Sequence, residues 1–214
     1  NQYILIKGEK ASASRGVGKT LNDYLDEWNP DSLRYALASI LPEQNDSEIS
    51  EDEMIRRNNE ELVAAWGNLV QRVFSQYINN FENLEFDFEL NDVDKKIINE
   101  GNDCFEKTGE LIEKVELKSS LQSVMGYVNK INAYLNETEP WKVIKEDSSR
   151  ATAILHTSLT AIEACASLFT PFMPTTSEIV KGAIEKNTNN NWSVNDIKKG
   201  APLQDIGHLF KKFD

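Results

Sequence analysis

The sequence predicts a mainly α-helical protein: an antiparallel helical bundle with a small strand-loop-helix element at its N-terminal end. Three observations support this fold class. Apolar residues recur at helical spacing after about residue 20, and prolines or clusters of Asn, Asp, Ser and Thr separate the helical segments. Only one early apolar run, at residues 3–6, is typical of a strand. Helices joined by short loops pack as antiparallel neighbours.

Length and composition are those of a protein with one sizeable core. Of the 214 residues, 40 % are hydrophobic and 27 % charged, as in ordinary globular proteins. No apolar run approaches the roughly 20 residues that cross a bilayer, and residues 1–7 lack the layout of a signal peptide. We therefore expect a cytoplasmic protein without a membrane partner. Because an apolar segment starts without an initiator methionine, we also expect the chain to be part of a longer polypeptide.

The formal net charge of −12 argues against a broad basic surface for DNA or RNA. Acidic residues are concentrated in 43–61 and 82–94, whereas the six arginines are scattered, with only Arg56 and Arg57 adjacent. A nucleic-acid surface on this chain would have to be local and would depend on specific contacts.

Residues 8–20, which follow the first apolar run, have two interpretations. Gly18, Lys19 and Thr20 end a near-match to a phosphate-binding P-loop, but Ala13 stands where the first glycine is required. A P-loop NTPase also needs a parallel sheet, and we expect no further apolar strands after Thr20. In the second interpretation, residues 10–16 form a mobile loop of lysine and serine.

Helix signals then follow in order along the chain. Pro30 opens a helix that Pro42 ends, and Ser50 with Glu53 forms a capping box that starts a long helix reaching about Phe81. Further helices are predicted over roughly 93–113, 117–135, 148–169 and 175–186. The long helix has one apolar stripe that should face the core, formed by Leu62, Trp66, Leu69, Val73 and Tyr77.

A polar face of the long helix is the first candidate site. If each residue turns roughly 100°, then Arg57, Glu61, Asn68 and Arg72 lie about 120° from the apolar stripe, outside the core. The simpler interpretation is a solvated polar face. The functional one is that Asn68 and Arg72, one turn apart, hydrogen-bond base edges and phosphates of unpaired RNA.

The end of the helix predicted at 117–135 is the second candidate site. Asn132 shares a face with Leu121, Val128 and Leu135, so it should point inward and tie the helix end to the next loop. Pro140 stops the helix and directs the chain, and Trp141 follows it. This tryptophan is either a core plug or a platform that stacks a base.

Neither metal-ligand nor nucleophile patterns are found. Cys104 and Cys165 are the only cysteines, and His156 and His208 have no Cys, Asp or second His at ligand spacing. No serine stands in a nucleophile-elbow pattern. We expect a reduced, metal-free protein, with His156 on a helix and His208 in the tail.

Six segments, in this order and spacing, resemble the C-terminal half of methionyl-tRNA synthetases over essentially the whole chain. They are residues 8–16 (Gly-Glu-Lys-Ala-Ser-Ala-Ser-Arg-Gly), 31–35 (Asp-Ser-Leu-Arg-Tyr), 59–62 (Asn-Glu-Glu-Leu), 67–72 (Gly-Asn-Leu-Val-Gln-Arg), 139–141 (Glu-Pro-Trp) and 169–174 (Phe-Thr-Pro-Phe-Met-Pro). Other class I synthetases share two of these patterns, so a cysteinyl enzyme is an alternative. A helical interaction scaffold without RNA binding is another.

The resemblance implies two parts: a stem-contact connecting region over 1–64 and a helical anticodon-binding domain over 65–214. In the family, the loop that matches residues 10–14 reads Lys-Met-Ser-Lys-Ser and stabilises ATP phosphates during methionine activation. Lys10, Ser12 and Ser14 match, and Lys10 would contact ATP, which the family uses with Mg²⁺. Ala11 replaces the methionine. Ala13 replaces the second lysine, which removes a cation from where charge develops on pyrophosphate.

The resemblance also implies the residues that read the anticodon. Asn68, Arg72 and Trp141 match the family's readers of the CAU anticodon of tRNA(Met), with Asn132 and Pro140 shaping the site. The His-Ile-Gly-His signature and the methionine pocket belong to an N-terminal half that this sequence does not contain. We therefore expect a monomeric fragment that binds tRNA weakly and catalyses nothing, although the parent protein would be a methionine–tRNA ligase.

Overall fold

The computed structural model describes residues 4–6, 9–10, 20–43, 47–187 and 192–214. Ser12, Ala13 and Ser14 lie outside these ranges, as do Gly18 and Lys19 of the near P-loop pattern. The interpretations of that loop rest on sequence alone.

A small sheet begins the chain. Strand β1 (Ile4–Ile6) pairs antiparallel with β2 (Glu9–Lys10) and parallel with β3 (Ser47–Ile49), in the order β2-β1-β3. One strand therefore follows Thr20, although it is not one of the further apolar strands that a P-loop NTPase would need. A strand of three residues that includes a glutamate is too short to show the alternation by which strands are identified.

Two short helices follow the loop after β2. Helix α1 (Leu21–Glu27) begins at Thr20, which forms a reciprocal capping box with Asp23. Helix α2 (Pro30–Ser39) has Asn29 as its N-cap and Pro30 in its first turn, and it buries Leu33, Tyr35 and Ala36. The predicted helix start at Pro30 is confirmed.

The long helix has the predicted extent but not a uniform geometry. It consists of α3 (Glu51–Arg57), a π-helical segment (Asn58–Gly67), α4 (Asn68–Asn80) and a 3-10 turn (Phe81–Asn83). Ser50 caps its first turn by accepting a hydrogen bond from the Glu53 N–H. The predicted apolar stripe is confirmed, because all five of its side chains are buried.

The remaining helices complete the bundle. They are α5 (Asp92–Glu113), α6 (Leu117–Thr138), α7 (Pro140–Val143), α8 (Ser148–Phe169) and α9 (Pro174–Ala183). The four predicted helices are confirmed, although α9 ends at Ala183 rather than near residue 186. The short helix α7 was not expected.

Helix α8 is the centre of the core and packs against α4, α5, α6, α7 and α9. Its length and composition would suffice to cross a membrane, but 94 % of its most apolar stretch is buried inside the protein. The Phe169 ring lies 5.4 Å from the Trp66 ring, and Phe172 and Met173 fill the turn to α9. This helix is therefore the core helix of the bundle.

Charged side chains near α2 hold the N-terminal region on the bundle at three helix ends. The buried carboxylate of Asp31 accepts hydrogen bonds from the backbone and hydroxyl of Thr176 in the first turn of α9. Arg34 donates to the Pro171 and Phe172 carbonyls beyond the end of α8. The Glu43 carboxylate accepts from the first turn of α6. Each charge has the sign that the helix end favours.

Candidate nucleic-acid interface

The structure brings Arg72 and Trp141 into contact, although 69 positions separate them in the sequence. The Arg72 guanidinium carbon lies 5.4 Å from the centroid of the Trp141 ring, within the range of a cation–π interaction. Arg72 Nη2 also donates a hydrogen bond of 2.9 Å to Asn136 Oδ1. Trp141 is half-buried and packs on the edge of the core. Trp141 therefore has features of both predicted roles. One part of its ring packs on the core, and Arg72 covers another part.

The reversal of the chain after α6 places Trp141. Helix α6 ends at Thr138, and Glu139 adopts the left-handed conformation with φ of 41°. Pro140 is buried and occupies the first turn of α7, where its missing N–H costs nothing. A non-glycine residue in the left-handed region costs roughly 1–2 kcal/mol, so the surrounding packing holds this turn. Pro140 is therefore enclosed by this turn rather than exposed to solvent.

Asn132 links α6 to the π-helical segment. It is half-buried, and its Nδ2 donates to the Ala65 and Val128 carbonyls at 3.2 Å each. The expectation that it ties the helix end to the next loop is wrong, because the side chain reaches across to another helix. The Ala65 carbonyl also accepts from the Asn68 N–H. Asn132 therefore supports the backbone on which Asn68 begins α4.

Asn68 is exposed at the start of α4, one helical turn before Arg72. Its side chain is therefore accessible to a ligand beside the Arg72–Trp141 pair. The structure thus places Asn68, Arg72, Asn132, Pro140 and Trp141 around the junction of α4, α6 and α7, while Lys10 ends strand β2 elsewhere in the chain.

The other two residues of the predicted polar face have a different environment. Arg57 donates to Glu53 and Glu61, and Glu61 accepts a hydrogen bond from the hydroxyl of Tyr35 on α2. Arg57 and Glu61 therefore lie outside the core, as expected, but they are half-buried and paired with neighbouring side chains. Helix α2 packs against this part of the long helix and covers it in part.

Asn136 is a site residue that the sequence did not reveal. It is exposed on α6 and fixes the orientation of the Arg72 guanidinium. Its spacing was the available clue, because it stands one turn after Asn132. Without the knowledge that α4 lies opposite, that spacing describes any polar pair on a helix.

A second charged cluster is structural. Asp94 is buried and accepts hydrogen bonds from both terminal nitrogens of Arg150 and from the Tyr134 hydroxyl. Burial raises the pKa of this carboxyl, but the bonds from Arg150 and Tyr134 outweigh it and keep the pKa below its ordinary value. The cluster joins α5, α6 and α8, and its charges are already paired.

Two family models match consecutive parts of the chain. Residues 1–74 match the model of class I tRNA synthetases of the methionyl type, and residues 87–214 match that of the anticodon binding domain of methionyl tRNA ligase. The second match covers more than half of the 214 residues.

Curated relatives carry the same family name. The methionine–tRNA ligase of Chloroflexus aggregans is 38 % identical over 83 % of this chain and 30 % of its own length. That of Corynebacterium glutamicum is 33 % identical over 97 % of this chain and 35 % of its own length. The chain therefore spans about a third of the length of these relatives.

The fold is also that of a solved member of the family. The Mycobacterium tuberculosis methionyl-tRNA synthetase bound by methionyl-adenylate superposes with a TM-score of 0.85 at 19 % identity, over 97 % of this chain and 43 % of that one. At this identity the likeness concerns the fold alone. Together with the family model that covers most of the chain, it leads to one assignment: the chain belongs to the family of anticodon-binding domains of methionyl-tRNA ligases.

Proposed function

We propose that this chain is the tRNA-binding portion of a methionyl-tRNA synthetase and that it recognises the CAU anticodon of tRNA(Met). Asn68, Arg72 and Trp141 would contact the unpaired bases, while Asn132 and Pro140 hold the site in shape. The observation that carries the proposal is the Arg72 guanidinium over the Trp141 ring, beside the exposed Asn68. Unpaired RNA bases are recognised by this combination of stacking surface and edge hydrogen bonds.

The Arg72–Trp141 pair suggests how a base would enter. The guanidinium covers an indole face that a base could use, and the bond to Asn136 holds it there. An incoming base would exchange the cation–π contact for base stacking, worth roughly 1–3 kcal/mol. The displaced guanidinium has donors that suit a phosphate or a base edge. Arg72 would thus leave the indole face and donate hydrogen bonds to the bound RNA.

The division of the chain and the chemistry of the parent protein complete the proposal. Residues 1–64 would form the stem-contact region and residues 65–214 the anticodon-binding domain, with the chain acting as a monomer that binds no DNA. The parent would be a cytoplasmic enzyme that joins methionine to tRNA(Met) with ATP. Lys10, Ser12 and Ser14 would contribute to its ATP loop, weakened by Ala13 in place of a lysine.

Metal ions have no evident place in the part of the chain that the structure describes. There, no three Asp, Glu, His or Cys side chains converge to form a group able to hold a metal ion. We assign this chain no step through the Mg²⁺ that the family uses with ATP.

The test compares two RNA hairpins for binding to the 214-residue chain, one with CAU in its loop and one with an altered triplet. We expect the CAU hairpin to bind at least tenfold more tightly. Trp141→Ala and Asn68→Ala should remove most of that preference, because they delete the platform and an edge contact. Trp192→Ala is the matched control, since Trp192 packs on Phe105 of α5 and should leave RNA binding unchanged.

Equal binding of both hairpins at moderate salt, or unchanged binding by Trp141→Ala and Asn68→Ala, would refute the recognition proposal. The same preparation should form no methionyl-tRNA from methionine, ATP and tRNA(Met). Detectable product would show that the chain is active on its own, contrary to the proposal.

A further inference from the structure

A cavity of about 210 Å³ lies beside Asn68, between the long helix and the C-terminal tail. Its helical wall is formed by Val63, Ala64, Gly67 and Asn68. The opposite wall is formed by three successive tail residues, His208, Leu209 and Phe210. Of the residues that line this cavity, only Asn68 belongs to the predicted anticodon site, and it borders both the site and the cavity.

The tail is anchored on the far side of this cavity. Asn58 Nδ2 donates to the Lys211 carbonyl at 2.9 Å, and Asn59 exchanges two hydrogen bonds with the Phe213 backbone. The Phe213 ring also packs on Trp28 with 4.3 Å between centroids. These contacts fix the tail against the helix, so the cavity is preformed, as ligand pockets usually are.

Gly67 determines how closely the tail approaches. A Cβ at this position would lie 2.9 Å from the Leu62 carbonyl oxygen and 3.3 Å from Cδ2 of Phe210. The absence of a side chain at Gly67 therefore leaves room both for the π-helical backbone and for the tail that crosses it. The crossing brings the tail next to Asn68.

The lining has the chemistry of a site for a nucleobase. Val63, Leu209 and Phe210 supply apolar surface, whereas the Asn68 amide and the His208 imidazole supply hydrogen-bonding groups. No carboxylate lines the cavity, although the chain as a whole carries a net charge of −12. Its volume is below the roughly 300–1,000 Å³ of pockets for drug-sized ligands, which suits a single flat ring system.

The structure assigns this cavity to a second unpaired base of the same RNA strand, the neighbour of the base that stacks at Trp141. This inference rests on the proposed function. Asn68 borders the cavity and stands four residues before Arg72, about 6 Å along the helix axis. Such a span allows adjacent, splayed nucleotides to reach the two places. The tail, including His208, thereby becomes part of the recognition surface.

The test fills or trims the cavity without altering Arg72 or Trp141. Ala64→Leu places a larger apolar group in the cavity from an exposed helical position, where leucine is well tolerated. His208→Ala removes an exposed imidazole from the rim. Each should weaken binding of the CAU hairpin about tenfold. Each should also reduce discrimination at one loop position, different from the position that Trp141→Ala affects.

Asn99→Leu, on an exposed position of α5, is the control for an added surface leucine and should bind like the unaltered chain. If Trp141→Ala weakens binding but Ala64→Leu and His208→Ala both bind within twofold of the unaltered chain, the cavity is not a base site, and the proposed function stands. A loss that is equal for every loop sequence would indicate a backbone contact and would also overturn the inference. If Ala64→Leu does not fold, His208→Ala decides alone. If the CAU hairpin is not preferred at all, both proposals fail.

Discussion

At the residue scale, His156 is a buried titratable group outside the proposed interface. Its ring lies 5.1 Å from the Phe88 ring, and Lys199 lies 4.0 Å over the same phenylalanine. Burial, with a smaller contribution from Lys199, lowers the pKa of His156 to about 4 from an ordinary value of 6.5. The folded protein therefore holds this imidazole neutral over most of the acidic range.

The pKa of His156 makes stability depend on pH in a defined direction. Because the folded pKa is the lower one, the unfolded chain binds the proton first, and stability present above pH 6.5 is lost as pH falls towards 4. Between pH 6.5 and 4.5 we expect a loss of about 2–3 kcal/mol in the free energy of unfolding.

Urea unfolding at several pH values measures this dependence. His156→Leu should flatten the curve between pH 6.5 and 4.5, while His208→Leu, at an exposed position, should follow the unaltered protein. Asp94 does not account for a change in this interval. The pKa of its carboxyl lies below the ordinary value of 3.8, so its contribution to stability is lost only at lower pH. Parallel curves for both variants would contradict the assignment to His156.

At the residue level, the sequence predicted pairs within one helix but not contacts between helices. Helical spacing placed Asn68 one turn from Arg72, which the structure confirms. The contact of Arg72 with Trp141 and Asn136 joins α4 to α6 and α7. Such a contact depends on how helices cross, which no pattern within one helix records.

At the scale of elements, start signals were more informative than the geometry within a helix. Pro30, Ser50 and Ser148 each mark a helix start that the structure confirms within one residue. The π-helical segment was not foreseen, because an apolar stripe predicts only that a helix is present and which side it buries. Helix α9 ends before the predicted residue 186, because the backbone of Ile184 is extended and leads to the bridge between Lys186 and Ile197.

Asp31 illustrates how one element completes another. Helix α9 has Met173 at its N-cap position, with no side-chain cap of its own, and the carboxylate of Asp31 from α2 accepts the Thr176 N–H at 2.6 Å instead. Asp31→Ala should lower the free energy of unfolding by about 2–3 kcal/mol, since it removes a cap and leaves a buried N–H unpaired.

Urea unfolding with an unchanged m-value would identify that loss as one of stability. Asp52→Ala is the matched control, because Asp52 is exposed in the first turn of α3, and its removal should cost less than about 1 kcal/mol. A loss below 0.5 kcal/mol for Asp31→Ala would mean that α9 does not depend on α2 for its cap.

At the scale of the whole molecule, the net charge of −12 and the proposed binding of RNA have to be reconciled. The proposed contacts are stacking and base-edge hydrogen bonds, with Arg72 as the cation that the structure places at the platform. Contacts of this kind depend little on counterion release. The overall negative charge repels RNA, and salt screens that repulsion, which further weakens the dependence of affinity on salt.

We therefore expect a shallow salt dependence for the CAU hairpin. With Arg72 as the phosphate contact, affinity should fall less than about tenfold between 50 and 200 mM salt, whereas six or more contacts would cost a hundredfold or more. Arg72→Ala should make the slope of log affinity against log salt shallower by about 0.7, because it removes one ionic contact to a single strand. Trp141→Ala should weaken binding at every salt concentration and leave the slope unchanged, since stacking releases no counterions. A steep slope that Arg72→Ala does not alter would mean that RNA is held by a broad basic surface, and the recognition site would have to lie elsewhere.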